Sequence, residues 1–114
     1  MTQLTALRLY FPMSAKAKAT SFWHKLSAPA LGHHLLQCAK RAHIQQAAML
    51  TVHAGFLPGE KLEHWHLENP SKTLPQCIEL IDTETKLRKF LREHADEIKQ
   101  VRAILYRAEL PMEY

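Results

Sequence analysis

Only two cysteines occur in the chain, Cys38 and Cys77, and they stand far apart without the close spacing of a zinc ligand set. A disulfide framework or zinc-finger module is therefore not what holds this fold together. Both fall in apolar stretches and read as small core hydrophobes. Long apolar runs are lacking too, so no segment suits a membrane-spanning helix. The start, MTQLTALRLYF, has neither the basic lead nor the long apolar core of a secretion signal, and the cytoplasm is the expected location. Charge of one sign is not concentrated either. The formal charge of +4 is modest, and Lys16, Lys18, Lys40, Arg41, Lys86, Arg88, Lys89 and Arg92 are dispersed at helical spacing. They read as solvated helix faces, and no basic stripe with aromatic platforms points to a nucleic-acid partner. Catalytic arrangements are missing as well. No serine has a nucleophile-elbow context, and no cysteine has a persuasive histidine partner nearby in sequence. Glu79 and Asp82 share an expected strand but point to opposite faces, which makes them a poor acid–base pair. The expectation is a protein that is not an enzyme.

What is present is a single-domain length, 114 residues, with 46% hydrophobic content and a regular order of periodicities. LTALRLYF at 4–11 alternates as a strand, with Leu7, Leu9 and Phe11 on one face and Ala6, Arg8 and Tyr10 on the other. Pro29 suits the first turn of a helix, with Ser27 or Ala28 near its cap. From Leu31 to about Ala42 the stripe Leu31, Leu35, Cys38, Ala39 and Ala42 follows helical spacing. A second strand covers about 46–54, with Ala48, Leu50 and Val52 on its apolar face. A long connection punctuated by Gly55, Pro58, Gly59, Asn69 and Pro70 spans 55–74, with room for a short strand at Leu62–Leu67. PQCIELID at 75–82 is a third strand. Asp82 or Thr83 caps a helix over 84–95 with Leu87, Phe90, Leu91 and Ala95 inward, and 101–106 is a fourth strand.

The resulting order, β-α-β-β-α-β, defines an α+β ferredoxin-like two-layer sandwich. Two helices cover one sheet face, and the other needs solvent or a partner. Arg8, Tyr10, Met49, Thr51, His53, Glu79 and Ile81 are expected on that open face, with Arg8 and Glu79 paired across neighbouring strands. Met49, Tyr10 and Ile81 make it apolar enough to expect self-association.

The residues at Trp23, Pro29, Leu31, Ala39, Ala42, Ala47, Leu50, Gly55 and Phe56, then Leu74-Pro75, CIELIDTETKLRKFL and VRAILYR, together resemble the PII-like domain of unknown function 190 family over nearly the whole chain. Three features differ from the family's pattern. His43 stands where the family usually has a helix-ending Gly. The segment after Phe56 carries EHWHLEN, and HADEIKQ occupies the place of the glycine-rich phosphate loop of true PII proteins.

The resemblance implies a homotrimer with nucleotide-sized clefts between subunits and a mobile effector loop at about 55–74. Carried over by position, the effector-binding candidates are Gly55, Phe56, Lys99, Arg102 and Arg107. The implied ligand is a small anion, most naturally ADP, AMP or ATP. The implied target is a protein regulated through the loop, such as a membrane transporter or an enzyme. A related alternative is a divalent-metal-binding trimer of the CutA type using His64 and His66. On a strand those two imidazoles would share a face, with Glu63, Glu68, His53 or a symmetry mate completing the ligand set. The adjacent pair His33-His34 diverges around a helix and is a poor chelate by itself.

Overall fold

A computed structural model describes residues 3–17, 30–66 and 73–107. Trp23, Pro29 and Glu68 lie outside the described residues.

The longest strands are β1 (Leu4–Pro12) and β5 (Pro75–Thr83), both with alternating burial. They pair antiparallel along their full length, from Leu4 opposite Thr83 to Pro12 opposite Pro75. β2 (Gln46–Thr51) and β6 (Arg102–Arg107) flank them, and the four-stranded sheet runs β2-β5-β1-β6. Two helices, α1 (Leu31–Arg41) and α2 (Glu84–Glu93), complete the βαββαβ arrangement. Leu7, Leu9 and Phe11 of β1 and Ile78 and Leu80 of β5 meet Leu35 and Ala39 of α1 and Leu87 and Phe90 of α2 in one core.

Each helix ends as its residues dictate. Thr83 caps α2, its Oγ1 accepting the Lys86 N–H at 3.3 Å. α1 has Ala30 at its N-cap, two or three residues beyond the expected Ser27 or Ala28, and no side chain caps it. Ala15 takes that role instead, its carbonyl accepting the Leu31 N–H at 3.0 Å while Lys16 bridges to Ala30. At the other end His43 adopts φ 58. Its N–H donates to the Lys40 carbonyl and that of Ile44 to the Ala39 carbonyl, the paired bonds of a Schellman ending.

One expectation about the sheet is corrected. Met49 lies opposite Ile78, and Thr51 lies opposite Gln76, which puts both on the helix-covered face. Met49 packs on the core, and Gly32 leaves room for it: a Cβ there would come within 3.0 Å of the Met49 methyl. The open face carries Ala48 and Leu50 instead. AAMLTV is apolar at nearly every position, so alternation could not distinguish its two faces, and pairing with β5 decided. The expected Arg8–Glu79 pair is present at 2.8 Å, with the Arg8 guanidinium 5.5 Å from the Tyr106 ring centroid. Cys77 lies opposite Tyr10 and Leu50, so it is buried beneath the open face, away from the helix-side core.

Candidate functional site

The long connection folds back on itself. β3 (Ala54–Gly55) pairs antiparallel with β4 (Glu63–His64). The Glu60 N–H donates to the Leu57 carbonyl at 2.9 Å across Pro58-Gly59. Gly59 has φ 81, so proline and glycine occupy the central positions that a type II turn asks of them. The Trp65 N–H donates to the His53 carbonyl at 2.7 Å, and Thr73 donates through Oγ1 to Glu63 at 3.0 Å. The base of the connection is thus a small hairpin.

That hairpin brings Phe56, Leu57 and Pro58 against the start of β6. Between them lies a cleft of about 290 Å³ lined also by Tyr10, Arg102 and Ile104. It adjoins a second of about 260 Å³ that shares Tyr10, Leu57, Pro58 and Arg102. Phe56 is 64% exposed, unusual for a phenylalanine in a folded domain, and its ring edges the cleft. Arg102 makes no ion pair with a described residue. The cleft therefore joins an aromatic platform to a guanidinium able to grip an anion by two hydrogen bonds.

Of the five effector-binding candidates, Phe56 and Arg102 line this cleft, and Gly55 at the end of β3 precedes Phe56 without lining it. Gly55 has no left-handed backbone, and a Cβ there would meet Val52 and Pro75 only at ordinary distances of 3.5 and 3.8 Å. Lys99 stands elsewhere, paired with Asp96 at 3.6 Å, on a cleft of about 220 Å³ lined also by Lys16, Leu31 and Glu97. Arg107 lies opposite Thr5 at the far end of β6, whereas Arg102 lies opposite Tyr10. Five positions along a strand reverse the face, so the two arginines cannot meet within one chain. Arg107 instead donates to Glu84 at 2.8 Å, with Arg88 on the same carboxylate at 2.9 Å. Arg107 first, and Arg88 with it, hold the Glu84 carboxyl at about 2.

His64 and His66 are both exposed. No group of three potential metal ligands among the described residues includes either of them. The group that does form is His34, Cys38 and Glu97. The signal for it in the sequence is the spacing of His34 and Cys38, not the adjacent pair His33-His34. His34 and Cys38 are one helical turn apart and face the same way.

Sheet order, two helices on one face and a hairpin connection between the second strand and its edge-to-centre return define the ferredoxin-like α+β fold of PII-like proteins. The model of DUF190 (Uncharacterized ACR) matches residues 6–110, and the chain belongs to that family. No curated protein matches it by sequence. CPII, a nitrogen regulatory PII-like protein from Thiomonas intermedia K12 bound to ADP, AMP and bicarbonate, superposes with a TM-score of 0.51 at 10% identity, covering 92% of this chain and 91% of that one. The same protein bound to ADP and bicarbonate gives 0.53 at 12% identity, covering 95% and 90%. A PII-like signaling protein from Thermus thermophilus gives 0.52 at 14% identity, covering 94% and 86%. At these identities the likeness is one of fold.

Proposed function

We propose that this chain is a PII-like regulatory protein whose cleft at Phe56 and Arg102 takes a small anionic effector, an adenine nucleotide. The observation that carries this reading is the exposed Phe56 ring beside a guanidinium that pairs with no described residue, at the base of the long connection. The base would stack on Phe56 while Arg102 takes a phosphate. CPII, of the same fold, binds ADP, AMP and bicarbonate, which supports this ligand class. The protein works as a homotrimer. Lys99 and Arg107, which do not line the cleft within one chain, belong to the effector site only if a neighbouring subunit presents them there. Ligand binding acts on the long connection that β3 opens, which then engages or releases a partner such as a transporter. That step requires the nucleotide to favour one state of the connection over the other. The work is done in the cytoplasm, by binding and not by turnover.

Titration calorimetry with ADP, AMP and ATP, with and without bicarbonate, tests this. Arg102→Ala should weaken nucleotide binding about tenfold or more, the scale of one charge-assisted hydrogen bond. Phe56→Ala should weaken it by a smaller factor. Absence of heat with every nucleotide, or heat unaltered by both variants, would overturn the reading.

A further inference from the structure

His34 and Cys38 project from one side of α1, with Nε2 and Sγ 3.5 Å apart. Glu97, in the turns between α2 and β6, brings its Oε2 to 2.6 Å from the same His34 nitrogen. The ligating atoms of these three residues all lie within 4.8 Å of one another. His94 adds a fourth donor atom, its Nδ1 standing 3.6 Å from that Glu97 oxygen. The atom is buried and has no hydrogen-bond partner. Its ring is held by Phe90, with centroids 4.5 Å apart. A buried imidazole nitrogen without a partner is costly unless something is meant to meet it.

We infer that His34, Cys38, Glu97 and His94 form a site for a borderline-soft divalent cation, zinc foremost, which ties α1 to the turns leading into β6. Bond lengths of about 2.0–2.3 Å to nitrogen, oxygen and sulfur place neighbouring tetrahedral ligands roughly 3.3–3.6 Å apart. The His34–Cys38 and His94–Glu97 separations of 3.5 and 3.6 Å already match. The His34–Glu97 contact must open, as the cation replaces the proton between those two atoms, and His94, which stands outside the group of three donors within 4.8 Å, must turn in toward them as the fourth. Cys38 gives up its thiol proton to solvent, and each histidine ligates through the nitrogen named here with its proton on the other. Thiolate, carboxylate and dication then sum to zero charge, which suits a partly buried place. Nitrogen and sulfur donors disfavour magnesium and calcium, which want oxygen. This site is independent of the nucleotide cleft and of the exposed His64 and His66.

The test uses the full chain and cobalt(II) as a spectroscopic stand-in, displaced by zinc. A thiolate-to-cobalt absorption band with intense visible bands of a tetrahedral ion is expected. Cys38→Ala should abolish the thiolate band, and Glu97→Gln and His34→Asn should each weaken zinc binding about tenfold or more. A His64→Ala/His66→Ala double variant should keep both band and affinity. Circular dichroism checks that each variant is folded. Zinc should also raise the melting temperature of the wild type, and by less in Glu97→Gln at the same zinc concentration. Absence of a thiolate band, its survival in Cys38→Ala, or zinc affinity lost in the double variant but kept in Glu97→Gln would overturn the assignment.

Discussion

His43 holds a backbone conformation that glycine adopts freely and an L side chain resists, at φ 58 on the exposed end of α1. Its carbonyl is also taken by Lys86, which closes the helix end onto α2. That bond belongs to the backbone and survives substitution. His43→Gly should therefore stabilise the fold by about 1 kcal/mol, read from the midpoint of urea unfolding at constant slope. Asp82 is the opposite case, a buried carboxylate that its surroundings reward. Burial pushes its carboxyl up most strongly, but the N–H groups of Thr83 and Gln45 at 2.7 and 2.9 Å, together with Lys86, outweigh this and hold it below the usual range. A carboxyl depressed by folding stabilises above its unfolded value and loses that contribution as pH falls through the folded one. Asp82→Ala should cost about 2 kcal/mol or more at neutral pH by stranding two backbone donors. The acid limb of the stability profile, below about pH 4, should be shallower in Asp82→Asn than in the wild type.

In the proposed function the hairpin of β3 and β4 is the element that matters most. It is short, but the type II turn at Pro58-Gly59, the Trp65–His53 bond and the Thr73–Glu63 bond give its base a definite shape. Gly55 tests what that shape is for. Because its backbone is unstrained and a Cβ has space, Gly55→Ala should melt at the wild-type temperature. If a ligand passes close to this backbone, nucleotide affinity should fall in the same variant. Calorimetry beside a thermal scan separates the two readings. Its place beside Phe56 was legible in sequence from the Gly-Phe pair ending an apolar strand. The companionship of Arg102 was expected only from the family resemblance, and no local pattern showed it. It depends on β6 lying beside β1 and on which face residue 102 takes there, and neither is a property of the residues around it.

At the scale of the molecule, the sheet has, among the described residues, one face covered by helices and one that is not. The open face mixes Ala6, Ala48, Leu50, Ile81 and Ile104 with the Arg8–Glu79 pair and a Tyr106 that remains 43% exposed. A surface of this kind invites a second copy, and the proposed trimer uses it. Ile104 lies opposite Arg8 in its middle and is half-buried in the single chain, so Ile104→Glu should spare the fold. It should shift the mass measured by light scattering from trimer to monomer. A wild type that stays monomeric at all concentrations would remove the trimer from the proposal.

By itself the sequence determined the elements and their order. Alternation marked β1 and β5, three-and-four spacing marked both helices, and Asp82 or Thr83 announced a cap. These are local consequences of side-chain period and backbone sterics, and they need no knowledge of distant residues. The tertiary structure decided which face of β2 is buried, because an all-apolar strand has no preference until it pairs. It also decided that the Ala15 carbonyl caps α1, that Arg102 and Arg107 part company, and that Glu97 comes to the one helical turn shared by His34 and Cys38. The scarcity of cysteine excluded a disulfide framework, as expected. It did not exclude a metal site assembled by the fold from residues some 60 positions apart, since ligand geometry depends on distance in space.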